Sequence, residues 1–264
     1  MIDNTGKHLV GAVSYLNTVP LVWGMLHGPQ RQQVDLSFSI PSICAQQVEA
    51  GQTEIGLVPV AEIARQGLQT IPGVGITCLG AVRSILLISR VPWRHVRSLA
   101  ADWSSRTSVQ LARVILRERF GIEPEIVPYA PDLDAMLSEA DAALIIGDPA
   151  LLLDTDALRY EWLDLGAEWF ALTRLPMVFA AWAGKPGLPA AELEEITRGS
   201  YEFGAARIDE IVEREHAKRG LTRELAGRYL RRHIRFRLGL DEQRGLAAFL
   251  ELAASLAKPA FAKA

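Results

Sequence analysis

The chain has 264 residues, 49% of them apolar and 22% charged, with a formal net charge of −3. That length fits one large domain or two lobes of about 100–150 residues each, and the near-neutral balance argues against a nucleic-acid or membrane partner. The two cysteines, Cys44 and Cys78, match neither a disulfide framework nor a zinc site, and no run approaches the roughly 18 apolar residues of a membrane span.

The first residues, "MIDNTGKHLVGAVSY", lack a basic start, an apolar stretch and a small-residue cleavage site. The expectation is a cytoplasmic protein. Strands are expected at Leu9–Tyr15, Val34–Ser39, Ile55–Val58, Ile76–Leu79, Ser84–Ser89, Ile126–Pro128, Ala142–Ile146 and Met177–Ala183. Helical patterns such as Ser42–Ala50, Thr107–Phe120 and Pro149–Leu153 lie between them. This alternation predicts an α/β fold with helices covering a largely parallel sheet. From Ala190 onward the pattern reads as purely helical, and Leu246, Phe249, Leu250 and Ala253 mark a buried helical face. Five arginines between Arg228 and Arg237 spread around such a helix and predict a solvated surface.

The apolar runs "SILLIS" and "MVFAAWA" each follow a change in texture, and each is placed to cross between lobes. The expected division is 1–84 with 178–264 as one lobe and 85–177 as an inserted second lobe. Two-lobed ligand-binding proteins share that connectivity and close by hinge motion.

Ligands of α/β sheets gather at the carboxyl ends of strands, beside helix amino ends. Five places offer polar groups there. In "SYLNTVPL", Pro20 suits a first helical turn. Asn17 or Thr18 can cap it, and a Thr18 cap would free Asn17 for a ligand. Ser42 after Pro41, and Asp148 before Pro149, can each be a simple cap. In "DWSSRTSVQLARVIL" a single cap leaves hydroxyls to spare among Ser104, Ser105, Thr107 and Ser108, with Arg106 between them, so this helix start predicts an anion site. Arg83 and Ser84 open the "SILLIS" strand at the expected floor of the cleft. The five histidines fall outside these loops, which disfavours a Ser-His-Asp triad or a histidine metal site. No GxGxxG follows a strand and no GxxxxGK[ST] occurs. The remaining kit of hydroxyls, an amide, an arginine and helix amino ends suits a small organic acid.

Six segments in order, "SYLNTVPL", "GQTEIGLVPVAEIA", "GAVRSILLIS", "SRTSVQLARVIL", "ALIIGDPAL" and "DLGAEWFALTRLPMVFAAWAG", resemble the chorismate dehydratase family of the futalosine route to menaquinone. The resemblance continues more weakly through "YLRRHIRFRLGLDEQRGLAAFLELA". It implies a two-lobed periplasmic-binding-protein-like fold (type II), with a ligand cleft between the lobes and a helical C-terminal part. It also implies a cytoplasmic lyase that dehydrates chorismate to 3-[(1-carboxyvinyl)oxy]benzoate with no cofactor or metal. The small-molecule substrate is the only partner implied, and the oligomeric state stays open. The resemblance points to Asn17 and Ser84 as the catalytic pair and sets the helix start of Ser105, Thr107 and Ser108 on a substrate carboxylate. Ser42, Arg83 and Asp148 complete the expected substrate-binding set. The base is either the enolpyruvyl carboxylate of the substrate or Asp148. Arg174 in "LTRLP" stands where many relatives would carry glycine, a departure placed to affect the hinge. Two alternatives remain: the sister lyase that forms 1,4-dihydroxy-6-naphthoate, which relies on a histidine in the inserted lobe, and a cytosolic binding protein for an aromatic acid.

Overall fold

The apolar runs of the sequence form strands covered on both faces. Every residue of Ile55–Pro59, Ile85–Ser89, Ala142–Ile146 and Met177–Gly184 is buried. Strands of this kind need helices on either side of the sheet, and the computed structural model, which describes residues 6–256 apart from Trp103, supplies them. Residues 1–5, part of the stretch read for an export signal, and 257–264 lie outside the described residues.

The first part of the chain carries β1 (His8–Val13), α1 (Val19–His27), β2 (Val34–Ser39), α2 (Pro41–Glu49), β3 (Ile55–Pro59), α3 (Val60–Gln66) and β4 (Gln69–Cys78). The middle carries β5 (Ile85–Ser89), β6 (Ser98–Asp102), α4 (Arg106–Phe120), β7 (Glu125–Tyr129), α5 (Leu133–Glu139), β8 (Ala142–Ile146), α6 (Gly147–Leu152), β9 (Glu161–Asp164) and α7 (Leu165–Thr173). The chain returns with β10 (Met177–Gly184), α8 (Ala190–Ala205), α9 (Ile208–Glu215), α10 (Arg223–Arg228), β11 (Arg235–Leu238) and α11 (Leu240–Ala254). One sheet has the order β11-β4-β10-β3-β1-β2, the other β7-β6-β8-β5-β9. Both are mixed: β1 runs parallel to β2 and β3, whereas β10 is antiparallel to β3 and β4. In the second sheet β6 is parallel to β7 and β8, and β5 is antiparallel to β8 and β9. Trp23, Trp169, Trp182, Tyr229 and Phe249 are the largest fully buried side chains. Among the described residues no helix is long and apolar enough to cross a membrane.

The C-terminal part departs from the expected all-helical pattern. Arg228 ends α10, Tyr229–His233 forms a π-helical turn, and β11 follows on the edge of the first sheet. Phe236 is buried while Arg235 and Arg237 are exposed, so an alternation of period two governs this stretch rather than a helical period. Arginines on an edge strand also discourage pairing with another sheet. The strands β6 and β9 were likewise not expected, since "SLAAD" is rich in alanine and "EWLD" is only four residues long.

Neither "SILLIS" nor "MVFAAWA" crosses between the sheets. β5 pairs only within the second sheet and β10 only within the first. The crossings are the segments just before them, 79–84 and the α7 stretch with residues 174–176. One carboxylate fastens the two together. Asp164 accepts from Val82 N (2.9 Å) and Arg83 N (2.6 Å) of the first crossing, and caps α7 through Gly166 N (2.9 Å) and Ala167 N (3.0 Å). Arg83 (φ 65°) and Arg174 (φ 61°), one per crossing, both adopt the left-handed conformation. Arg174 ends α7 in the position that glycine usually fills, a physical reason to expect glycine there.

Candidate active site

β1 stops at Val13, two residues short of the expected Tyr15, and the chain tightens into a 3-10 turn over Leu16–Thr18. Thr18 N donates to Tyr15 O at 3.0 Å to close that turn, and Pro20 occupies the first turn of α1. Thr18 does not cap the helix: its backbone is already helical and its buried hydroxyl has no partner within the protein. The free N–H of Leu16 is taken instead by Asp148 Oδ1, at 3.0 Å, from the second sheet's side. Asn17 is thereby left with no capping duty.

Asn17 lines a cavity between the two sheets. Val13, Leu57, Pro59, Ile76 and Phe179 wall it on one side, and Ile85, Ile146 and Gly147 on the other. The polar lining consists of Tyr15, Asn17, Ser84 and Ser108, with no charged side chain. The void is about 500 Å³ counting its open mouth.

Three side chains form a continuous chain, with Asn17 and Ser84 on the wall and the buried Tyr229 between them. Asn17 Nδ2 donates to Tyr229 Oη (3.1 Å), and Tyr229 Oη donates to Ser84 Oγ (2.8 Å). Burial pushes the Tyr229 phenol well above its ordinary pKa, against the opposing pull of Ser84 and Asn17. Asn17 Oδ1 is buried and has no hydrogen-bond partner within the protein. An unsatisfied buried acceptor costs about 1–3 kcal/mol, which a ligand donor would recover.

Gly147 fits where no other residue would. Its φ is +67°, and a Cβ there would lie 2.7 Å from the ring of Tyr15. Gly147 N also donates to Ser84 O at 2.8 Å, which ties the start of α6 to the start of β5. Burial raises the Tyr15 phenol as well.

Of the eight expected site residues, Asn17, Ser84 and Ser108 line the cavity. Ser105 stands just behind, capping α4 through Ser108 N (3.4 Å), with its Oγ 2.9 Å from Ser108 Oγ. Ser42 is the second residue of α2, makes no cap, and keeps a buried hydroxyl without a protein partner beside the cavity-lining Pro41. The other three hold the walls. Thr107 Oγ1 accepts from Ala61 N (3.2 Å) at the start of α3. Arg83 donates to the carbonyls of Ala150 (3.0 Å) and Leu153 (2.5 Å). Asp148 lies in the first turn of α6, where Ile146 is the cap residue, and reaches across to Leu16 N and to Arg219 Nε (3.1 Å). Arg219 in turn pairs with Glu215. Burial raises the Asp148 carboxyl, partly offset by the Leu16 N–H and Arg219.

The arginine of the expected anion site is also spent elsewhere, since Arg106 Nε pairs with the buried Glu62 at 3.0 Å. The amino ends of α2 and α4 reach the cavity through Pro41 and Ser108, and helix amino ends favour an anion. Cys44 and Cys78 are buried and unpaired. Burial pushes the Cys44 thiol up to about 12, so it offers no thiolate at neutral pH. Sequence reasoning missed Tyr229, Tyr15, Gly147 and Asp164. The available signal for Tyr229 was the apolar set Tyr229, Leu230, Ile234 and Phe236 interleaved with the arginines, all four buried.

A family model described as menaquinone biosynthesis matches residues 9–255. The chain belongs to this family. It is 27% identical to the chorismate dehydratase of Thermus thermophilus over 92% of this chain and 94% of that one. The resemblance to chorismate dehydratases read from the motifs is thus borne out. Among solved structures, a structural-genomics protein of Archaeoglobus fulgidus matches with a TM-score of 0.76 at 17% identity, covering 96% of this chain and 98% of that chain. The periplasmic aliphatic sulphonate binding protein of Escherichia coli matches with a TM-score of 0.60 at 12% identity, covering 98% and 94%. The fold is periplasmic-binding-protein-like, as the sequence implied.

Proposed function

We propose that this member of the menaquinone-biosynthesis family is a hydro-lyase that converts chorismate to 3-[(1-carboxyvinyl)oxy]benzoate, an early step of the futalosine route. The observation that carries the reading is the Asn17–Tyr229–Ser84 chain, whose two ends line a largely apolar cavity. Chorismate is a cyclohexadiene one dehydration away from a benzene ring, so aromatisation drives the reaction. A C–H bond breaks at the ring carbon bearing the enolpyruvyl ether, the neighbouring C–O bond releases the hydroxyl, and the proton and hydroxyl leave as water. No electrons are exchanged, so the reaction calls for no redox cofactor.

The enzyme has to hold the ring, place a base at the C–H and assist the hydroxyl. Apolar walls can hold the ring and helix amino ends its carboxylates. Preorganised neutral donors supply the last. For the base, the enolpyruvyl carboxylate of the substrate is the better assignment. Asp148 is not among the lining residues and already serves Leu16 N and Arg219. In this reading residues 1–84 with 178–264 form one lobe and 85–177 the other, and they close on the substrate by hinge motion at the two crossings.

The test is direct. Purified protein is incubated with chorismate in the presence of a chelator, and the product is identified by mass. Formation of the carboxyvinyloxybenzoate supports the proposal. Unchanged chorismate beside folded protein overturns it, and saturable binding without turnover would then identify a binding protein.

A further inference from the structure

Two of the cavity-lining polar residues, Asn17 and Ser84, are both anchored on one phenol. Tyr229 is 1% exposed and comes from the π-helical turn after α10, far from either partner in the chain. π-turns recur at functional sites because the extra residue re-aims a side chain. A phenol has a single proton, and here it is spent on Ser84 Oγ. The proton of Ser84 therefore cannot point back at Tyr229 and is free to donate into the cavity that Ser84 lines. The oxygen of the same phenol accepts from Asn17 Nδ2. That fixes which end of the amide faces away, and Asn17 Oδ1 is the buried acceptor with no protein partner.

From this geometry we propose that Tyr229 is a positioning residue that sets the polarity of the site, so that Ser84 presents a donor and Asn17 an acceptor to one hydroxyl of the substrate. The proposal rests on the dehydratase reading and adds a mechanism to it. The substrate hydroxyl donates a hydrogen bond to Asn17 Oδ1 and accepts one from Ser84, which steadies the oxygen as the C–O bond breaks, and the ring proton taken up by the substrate carboxylate completes the water. Because Ser84 Oγ accepts from Tyr229, it becomes a stronger donor in turn, as hydrogen-bond chains polarise along their length. The burial that raises the Tyr229 phenol keeps it protonated throughout the neutral range, so the sense of the chain does not reverse with pH. The same logic defines the class of ligand. It must bring a hydroxyl that can both donate and accept, and a ring acid lacking that hydroxyl leaves Asn17 Oδ1 unpaired.

Tyr229→Phe keeps the ring and removes the oxygen. With chorismate as substrate, kcat is expected to fall by about 50–1,000-fold while KM stays within about threefold, since the contact strengthens as the hydroxyl departs. In the double variant with Ser84→Ala, losing the phenol should slow turnover by clearly less than it does in the wild type, because part of its effect passes through the serine and only the part through Asn17 remains. A Tyr229→Phe enzyme within twofold of wild type overturns the proposal, as does full additivity in the double variant. A second measurement needs no turnover. The side-chain N–H protons of Asn17, followed by 15N NMR, should exchange slowly in the wild type and quickly in Tyr229→Phe. If wild-type protein leaves chorismate unchanged, the dehydratase reading fails, and this measurement alone judges the role of Tyr229. Should the phenylalanine variant not fold, the wild type decides: exchange as fast as that of an exposed asparagine overturns the proposal.

Discussion

The turn at 15–20 and the helix start at 104–108 look alike in sequence, each a strand end followed by small polar residues and a helix. The structure uses them in opposite ways. At 104–108 three of the five polar side chains are spent within the protein, since Ser105 caps its own helix, Thr107 satisfies the start of α3 and Arg106 pairs with Glu62, while Ser108 lines the cavity. At 15–20 the need of the backbone is met from outside, by Asp148 on Leu16 N, and both Asn17 Oδ1 and Thr18 Oγ1 remain unpaired. A polar side chain becomes available to a ligand when another element satisfies the backbone beside it. The number of polar residues at a helix start says little about that.

The largest effect should come from the unspent side. Asn17→Ala and Ser84→Ala should each lower chorismate turnover by about 100-fold or more, with melting temperature little changed. A large drop in melting temperature with turnover retained would return Asn17 to a structural role.

Next is Gly147→Ala, which forces an L residue to φ +67° and brings a methyl group against the Tyr15 ring. The backbone term alone costs about 1–2 kcal/mol, read as a lower urea midpoint. Turnover should fall with it, because Tyr15 and the Asn17 turn must shift.

Asp148→Asn tests the spent carboxylate. Turnover should stay within about tenfold of wild type if the substrate supplies its own base, and loss of about four orders of magnitude in a folded, binding variant would make Asp148 the base. The variant has a pH signature too. The folded protein holds the Asp148 proton to higher pH than the unfolded chain does, so this group favours folding at low pH. That contribution is lost as pH rises from the ordinary carboxylate range through the raised value. Denaturant midpoints followed against pH should lose this fall in the asparagine variant.

The smallest effect belongs to Thr18→Val. The hydroxyl is buried with no partner, so a shape-preserving methyl should leave stability unchanged or raise it by up to about 1 kcal/mol. A loss of more than about 1 kcal/mol in urea melts would restore the capping role that the sequence suggested.

Much of the fold was legible because β3, β5, β8 and β10 are buried on both faces and the helix starts carry distinct punctuation. The exceptions were elements whose residues do not advertise them: alanine-rich β6, four-residue β9, and β11 with its arginines. In the site, Asn17, Ser84 and Ser108 could be picked out as polar residues at strand ends and helix starts, and the resemblance to chorismate dehydratases singled out the first two. Tyr229 could not be paired with them, since 212 residues separate it from Asn17 and 145 from Ser84.

By itself, then, the sequence determined the α/β alternation, the family and the polar candidates at the strand ends, because these depend on local pattern and ordered motifs. Only the tertiary structure decided which candidates are free. That outcome depends on hydrogen bonds between segments distant in the chain: Asp148 to Leu16 N, Thr107 to Ala61 N, and Tyr229 between Asn17 and Ser84. A side chain has few donors and acceptors, and folding determines which partner reaches them first.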